Sequence, residues 1–327
     1  MGCGRSSQRT TGLHLRQHTR AFVIGDPASG RRLVLVVADI GMFFANVRAA
    51  VLARLDPAAV RPQDLVLTAT HTHAGPGGFS GYRMYNTTNK GLRRHTFEAI
   101  VDGVVASIER ALADAAPGRL VLGQAALHDA SVNRSPQAFG RNPGQAQQHL
   151  PAAIDPMTTV LRPARAGRLV GAVRWFAPHA PRLTNHTPPT TDDHHGTPRW
   201  AWERLLFDAG SPAITAFAQT NAGDMSPNVP DATQGPTSDE VDNTRIIGER
   251  QMVASQAAAA VGSELVGPLD TRLSYVDLAG LDISAAFSPD PKAHRLARAV
   301  LCAAFAAGPK EGPGPGFGHA GVEATPL

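Results

Sequence analysis

The feature that most constrains the fold of this chain is a repeated switch between strand-like and helix-like hydrophobic patterns. Residues 20–24 and 33–38 are apolar, β-rich runs, and the polar segment between them predicts a hairpin with a longer turn. Residues 43–55 then space their apolar side chains along one helical face, and residues 65–69 predict a short buried strand. Residues 96–115 predict an amphipathic helix that is closed by a Pro-Gly pair. Strands and helices therefore alternate from the start.

The same alternation continues through the second half of the chain. In order, the predicted segments are a strand at 120–127, a hairpin of 158–162 with 169–176, a short helix at 200–207, a strand at 214–219 and a long helix at about 240–261. This order predicts an α/β fold, with a mixed β-sheet core and flanking helices in a single domain.

The composition of the chain excludes several classes of protein. With 327 residues and 43% hydrophobic content, the chain can bury a full core. No apolar run approaches the roughly 20 residues of a membrane span, and no signal-peptide pattern opens the chain, so the sequence predicts neither. The arginines are spread out without a dense basic run, so no nucleic-acid partner is predicted. Cys3 and Cys302 offer neither a disulfide framework nor a zinc-ribbon spacing.

Polar side chains follow three of the predicted strands. His71 and His73 come after residues 65–69 at the start of a Gly/Pro loop, His179 follows a second strand and Ser226 a third. Ligands of open α/β sheets bind at the carboxyl ends of the strands, where these segments can converge. Histidines at i and i+2 can turn both rings toward one cleft, which suits a metal and a proton carrier. His71 and His179 are candidates for a shared zinc site, although polar residues at strand ends explain the spacing equally well.

Two further side chains have both a chemical and a structural interpretation. Ser226 places a hydroxyl on a tight loop, but the loop lacks the Gly-x-Ser-x-Gly pattern of hydrolases, and an ordinary turn explains it as well. The guanidinium of Arg134 can polarise a carbonyl or hold an oxyanion, and the alternative is a surface arginine before a turn. Asp224 can be a metal ligand, a partner of a ligand, or an acid that bonds to its own turn.

The acidic and histidine-rich run at 192–195 has the sequence DDHH. Prolines precede it at 188 and 189, and a Gly-Thr-Pro run follows it, which is typical of a solvated loop. The sequence therefore predicts that any metal bound by His194 or His195 is adventitious.

Eight runs of the sequence resemble the N-terminal catalytic domain of the neutral ceramidases, which are zinc-dependent amidases that split ceramide into sphingosine and a fatty acid. The runs occur in the family's order and at about its spacing. They are 20–24 (RAFVI), 38–42 (ADIGM), 69–78 (ATHTHAGPGG), 129–136 (DASVNRSP), 174–179 (RWFAPH), 218–228 (AQTNAGDMSPN), 243–251 (NTRIIGERQ) and 305–308 (FAAG).

The resemblance implies a role for each candidate residue. His71 and His179 match zinc-ligand positions, and His73 matches an active-site histidine that carries a proton to the departing amine. Arg134 matches a substrate-polarising arginine, and Ser226 matches the active-site serine, whose role as nucleophile, hydrogen-bond donor or positioning group stays open. The implied reaction is hydrolysis of the ceramide amide by a zinc-activated water.

The resemblance also implies how much of the family's domain is present. Residues 1–265 match an N-terminal catalytic domain with 1–19 frayed, and residues 266–327 match an incomplete continuation with a partly disordered tail. In the family, a glutamate and a tyrosine from sequence well beyond 305–308 complete the zinc site, and a sandwich domain follows. Residues 187–198 diverge from the family pattern. An inactive fragment with an incomplete metal site is therefore the alternative function.

The implied partners follow from a lipid substrate. The resemblance predicts contact with ceramide, and contact with a membrane surface through that substrate, while oligomeric state and localisation stay open.

The His-x-His pattern also occurs in a different class of enzyme, the barrel amidohydrolases. Those enzymes often use a lysine near the middle of the chain, and here no lysine lies between Lys90 and Lys292.

Overall fold

A computed structural model describes residues 9–179, 190–191, 193–232, 235–288 and 292–298. The run at 305–308, the predicted tail and part of the divergent segment 187–198 lie outside the described residues. The chain divides into two compact units, one of Met1–Asn133 with Leu150–Thr271 and one of Arg134–His149 with Arg272–Leu327. The predicted boundary at residue 265 stays a prediction.

The elements alternate as the hydrophobic pattern predicts. The strands are β1 (Thr19–Gly25), β2 (Arg32–Ala38), β3 (Leu65–Ala69), β4 (Arg119–Ala126), β5 (Val132–Asn133), β6 (Met157–Arg165), β7 (Arg168–Leu169), β8 (Gly171–Phe176), β9 (Ile214–Gln219), β10 (Met225–Ser226), β11 (Ser263–Glu264), β12 (Asp282–Ile283) and β13 (His294–Arg295). The helices are α1 (Ala45–Arg54), α2 (Arg94–Ala113), α3 (Pro136–Phe139), α4 (Gly144–His149), α5 (Gly196–Asp208) and α6 (Glu240–Ala260).

The strands of the first unit form two principal sheets. In the smaller sheet, β1 pairs antiparallel with β2, and β2 pairs parallel with β3. The larger sheet has the order β11-β4-β6-β8-β9, with β7 beside β6. Within it, β8 and β9 are parallel and the other pairs are antiparallel. A short ribbon of β5 and β10 completes the unit. The prediction of a mixed β core is confirmed, with the strands divided between sheets.

The strands are buried on both faces, because the two sheets pack against each other and helices cover their outer faces. Val34, Val36 and Ala38 of β2 pack in a core with α1 and α2. Their neighbours Leu35 and Val37 point the other way and pack against the β8 and β9 side chains of the larger sheet. The opposite face of that sheet packs on α5 and α6 through a further apolar cluster. The first unit is therefore layered helix, sheet, sheet, helix. The described strands close no barrel, so the barrel alternative is wrong.

The second unit contains short elements. The helices α3 and α4 lie in it, and β12 pairs antiparallel with β13. In the part of the chain that the structure describes, no helix combines the length and apolar character needed to cross a bilayer.

Candidate metal centre

Three histidines from two loops meet at one end of the parallel strands. His71 and His73 follow β3, and His179 follows β8. Their ring centroids lie between 4.6 and 4.9 Å apart. One nitrogen from each ring falls within 4.8 Å of the others, a separation that lets the three side chains hold one metal ion. The structure thus brings together three of the five predicted site residues.

Backbone carbonyls fix the tautomers of two of these rings. The Nδ1 atom of His71 lies 2.7 Å from the carbonyl oxygen of Gly41, and Nδ1 of His179 lies 3.0 Å from that of Ala222. Because a carbonyl only accepts hydrogen bonds, each Nδ1 carries the proton and each neutral ring keeps its lone pair on Nε2. A carbonyl behind the distal nitrogen is the usual support of a metal-ligating histidine.

The two carbonyls come from the neighbouring strand ends. Gly41 follows β2 and Ala222 follows β9, so the carboxyl ends of both parallel pairs contribute to the cluster. The backbone of His71 has a φ of 61°, a left-handed conformation that costs a non-glycine residue roughly 1–3 kcal/mol. Such strain is typical of functional positions, and here it turns the ring toward the cluster.

The donor set fits a transition-metal ion. The Nε2 atoms of His71 and His73 are 3.3 Å apart, and the one on His71 is a lone-pair acceptor because its Nδ1 is the donor. A proton on Nε2 of His73 or a bound cation can satisfy this close pair of nitrogens. Neutral imidazole nitrogens suit Zn²⁺, Cu²⁺, Ni²⁺ and Fe²⁺.

Two more histidines lie buried behind the cluster, and the predicted solvated loop there is wrong. His194 and His195 are 0% and 1% exposed, and their ring centroids lie 4.1 Å apart with the ring planes tilted by 48°. They end a short 3-10 helix that runs directly into α5. Asp192 lies outside the described residues. The flanking prolines and glycine indicate a loop, but packing against α6 removes it from solvent.

This buried pair contacts the chain segments that carry the metal-site histidines. Nε2 of His194 lies 3.0 Å from the carbonyl oxygen of His179, so this nitrogen is the donor. Nε2 of His195 lies 3.0 Å from Nε2 of the Gln219 side chain. The same Gln219 nitrogen also donates to the carbonyl of Thr70 at 3.0 Å. Thr70 directly precedes His71. The pair therefore reaches the His179 loop directly and the His71 loop through Gln219.

Burial keeps both of these rings neutral. Desolvation lowers the pKa of His194 to about 3, and the nearby positive charge of Arg174 acts in the same direction. Desolvation also lowers the pKa of His195 well below its usual range, with smaller contributions from His194 and Arg174. The cluster therefore rests on an uncharged layer at neutral pH.

A buried cation, Arg174, lies close to these two neutral rings. It is fully buried on β8, and among the described residues none of its guanidinium nitrogens has a hydrogen-bond partner. Its charge lies over the rings of Phe176 and Phe217, at 4.8 and 5.2 Å from the ring centroids. Desolvation lowers the pKa of Arg174. The face of an aromatic ring compensates only part of the cost of burying a cation.

The predicted serine is held beside the cluster by its backbone. Ser226 lies on β10 opposite Val132, and the amide of His179 donates to the carbonyl of the preceding Met225 at 3.2 Å. Its side chain is buried, and Oγ accepts from the amide of Asn228 at 3.2 Å. This second bond is the turn contact that the sequence offers as the alternative, and the catalytic role of Ser226 stays a prediction.

The remaining predicted residues have different surroundings. Asp224 accepts a hydrogen bond from Asn133 at 2.9 Å and so ties the β5 and β10 strands together. It does not belong to the histidine group, within the described residues. Arg134 is half-buried and opens the second unit, directly after β5. Its predicted role toward the substrate stays a prediction.

The residues that sequence reasoning missed act through the backbone or through burial. Nothing in the sequence marks the carbonyls of Gly41 and Ala222, because every residue carries one. Arg174 sits in an apolar strand pattern, where a charged residue is a usable signal of a special role. For His194, the sequence gives no such signal, because the predicted helix begins at residue 200 and the observed α5 begins at Gly196.

The fold and this cluster define an α/β protein with three histidines, placed so that they could hold a metal ion, at the carboxyl ends of its parallel strands. Residues 1–324 match the family described as neutral/alkaline non-lysosomal ceramidase, N-terminal. The chain belongs to this family.

Individual relatives agree with the family match. The neutral ceramidase of Mycobacterium tuberculosis is 41% identical over 96% of this chain, and that of Pseudomonas aeruginosa is 44% identical over 96%. A solved structure described as ceramidase complexed with C2 superposes with a TM-score of 0.86 at 44% identity, covering 96% of this chain and 50% of that one. The chain spans 51% and 48% of the lengths of the two relatives, which is about half.

Proposed function

We propose that this chain carries the amide-hydrolysing centre of a zinc-dependent ceramidase, which converts ceramide to sphingosine and a fatty acid. The observation that carries the proposal is the pair of carbonyl-fixed rings, His71 and His179, whose lone pairs face a common point beside His73. The names of the relatives, neutral ceramidase, support the substrate.

The residues of the chain divide the work of the reaction. His71 and His179 hold the ion through Nε2, and bound zinc supplies Lewis acidity and a water that ionises near neutral pH. The exposed His73, which is not one of the two ligands, passes a proton to the departing amine. The guanidinium of Arg134 polarises the amide carbonyl, and Ser226 contributes a hydroxyl for positioning the substrate. Ceramide is a membrane lipid, so the proposed enzyme meets its substrate at a lipid surface.

Zinc titration of the metal-free, 327-residue chain tests the centre. The His71→Ala and His179→Ala variants are each expected to weaken zinc binding by at least about 100-fold, because each removes a ligand nitrogen. The His95→Ala variant removes an exposed histidine at the start of α2 and is expected to bind zinc as the wild type does. Equal zinc affinity in all four proteins contradicts the proposed ligands.

Hydrolysis of a short-chain fluorescent ceramide tests the activity. The wild-type chain is expected to release the fatty acid only with zinc present, and both ligand variants are expected to be inactive. Zinc bound through both histidines without any turnover supports the alternative function, an inactive ceramidase-like fragment.

A further inference from the structure

Residues 78–93 form a closed surface loop that directly follows the glycine-rich run after His73. The amide of Arg93 donates to the carbonyl of Gly78 at 2.6 Å, which joins the two ends. The buried side chain of Asn86 donates to the carbonyl of Ser80 at 2.7 Å and fixes the middle of the loop. A loop of this size with joined ends and internal packing is an Ω-loop, and we call it the 78–93 loop.

The tip of the 78–93 loop presents apolar side chains to solvent. Tyr82 and Leu92 are each 56% exposed, Met84 is 52% exposed and Tyr85 is 49% exposed. The rings of Tyr82 and Tyr85 lie 6.3 Å apart, so they form one surface rather than scattered side chains. Contiguous exposed apolar surface marks an interaction site, and tyrosine favours the boundary between apolar and aqueous phases.

The stretch of chain that carries this apolar tip has charges of one sign. Residues 65–97 contain no aspartate or glutamate, whereas Arg83, Lys90, Arg93 and Arg94 all lie within that stretch. Arg83 and Lys90 are exposed, and neither forms a salt bridge within the described residues. Arg94 lies 3.9 Å from Glu98 on α2. Unpaired cations beside exposed aromatic and aliphatic side chains complement a surface that is anionic outside and apolar beneath.

We propose that the 78–93 loop docks this protein on an anionic lipid bilayer. Tyr82, Met84 and Leu92 enter the headgroup region, while Arg83 and Lys90 contact the lipid phosphates and carboxylates. A nucleic acid offers the same negative charge, but it leaves the apolar tip without a partner. The proposal rests on the proposed function, because a ceramidase needs its lipid substrate close to the histidine cluster, and only residues 74–77 separate His73 from the loop.

Vesicle sedimentation with the 327-residue chain tests this proposal. Wild-type protein is expected to bind phosphatidylcholine vesicles containing phosphatidylglycerol, and to bind pure phosphatidylcholine vesicles much more weakly. The double variant Arg83→Glu/Lys90→Glu is expected to bind the anionic vesicles at least about 25-fold more weakly, from about fivefold for each basic side chain. The double variant Tyr82→Ser/Met84→Ser is expected to lose the binding that persists at high salt.

The matched control is Arg168→Glu/Phe207→Ser, which changes an exposed cation and an exposed aromatic residue away from the loop. It is expected to bind vesicles as the wild type does. Thermal unfolding of each variant verifies that the protein is folded. Unchanged vesicle binding in both loop variants, or equal binding of wild type to anionic and neutral vesicles, overturns the proposal. So does a loop variant that loses binding to duplex DNA while it still binds vesicles.

Hydrolysis of a soluble short-chain ceramide, measured without vesicles, separates the two proposals. The loop variants are expected to retain the wild-type rate on that substrate. A chain that binds anionic vesicles through the loop but hydrolyses nothing refutes only the enzymatic function. A chain that hydrolyses the soluble substrate but ignores vesicles refutes only the docking surface.

Discussion

At the scale of single residues, two buried arginines have opposite electrostatic surroundings. Arg199 is 5% exposed and lies 3.8 Å from both Asp39 and Glu203, so acidic groups compensate its charge. Arg174 is 0% exposed and lies over aromatic rings, and within the described residues its guanidinium has no hydrogen-bond partner. A buried charge without a partner destabilises the folded state. Removal of a buried charge that has partners also destabilises it, because the partner charges are left uncompensated.

We therefore expect the two arginine-to-methionine variants to change stability in opposite directions. Arg174→Met is expected to raise the free energy of unfolding by about 1–4 kcal/mol, because methionine fills the same apolar space without a charge. Arg199→Met is expected to lower it by about 3–5 kcal/mol, because Asp39 and Glu203 lose a cation. Urea unfolding at pH 7.5 measures both. A large loss of stability in Arg174→Met means that an anion compensates the guanidinium.

At the scale of elements, the contact between α5 and α6 positions the buried histidine pair. Gly248 on α6 faces the start of α5, where a Cβ atom would lie 2.7 Å from Cδ of Pro198 and 3.1 Å from the carbonyl oxygen of His194. The absence of a side chain lets the two helices approach closely. This approach holds His194 against the carbonyl of His179.

The Gly248→Ala variant is expected to lose about 1–3 kcal/mol of unfolding free energy, because the added methyl group meets a rigid proline ring. The control is Gly103→Ala on α2, where the new Cβ meets only Thr19 at 3.5 Å, an ordinary contact. That variant is expected to gain about 0.5–1 kcal/mol from the better helix propensity of alanine. Denaturant unfolding measures the unfolding free energy of both variants. Equal changes in that free energy would rule out the close contact at Gly248.

The sequence predicted the elements better than it predicted their assembly. The hairpin of β1 and β2 follows from two short apolar runs around a polar turn, and the structure confirms it. Which strands share a sheet does not follow, because β2 is apolar on both faces and any apolar surface satisfies that pattern. The meeting of His71, His73 and His179 at one edge was predictable from their places after strands. The burial of His194 was not, because it depends on α6, which lies about fifty residues later.

At the scale of the whole molecule, the buried histidine pair makes stability depend on pH. Unfolding exposes both rings, and an exposed histidine binds a proton below about pH 6.5. The folded chain keeps His194 neutral down to about pH 3, and His195 also stays neutral at mild acidity. The unfolded state therefore binds more protons, and the pair's stabilising contribution, present above pH 6.5, is lost as the pH falls.

Between pH 6.5 and 5, each of these histidines is expected to contribute a slope of up to about 1.4 kcal/mol per pH unit to the unfolding free energy. The His194→Gln variant is expected to reduce the total slope by about that amount. Ser255→Ala alters a buried hydroxyl on α6 that carries no titrating proton in this range, so its slope is expected to equal that of the wild type. Equal slopes for the His194→Gln variant and the wild type would show that the folded state already protonates His194.

The carbonyls and rings of the metal centre come from chain positions as far apart as Gly41 and Ala222. About 180 residues separate Gly41 from Ala222, so at roughly 5–20 residues per second the ribosome adds Ala222 about 9–36 s after Gly41. His71 and His73, with Gly41 ahead of them, therefore leave the ribosome well before His179 and Ala222. The proposed metal site is therefore complete only late in synthesis, once His179 and Ala222 have joined the earlier segment.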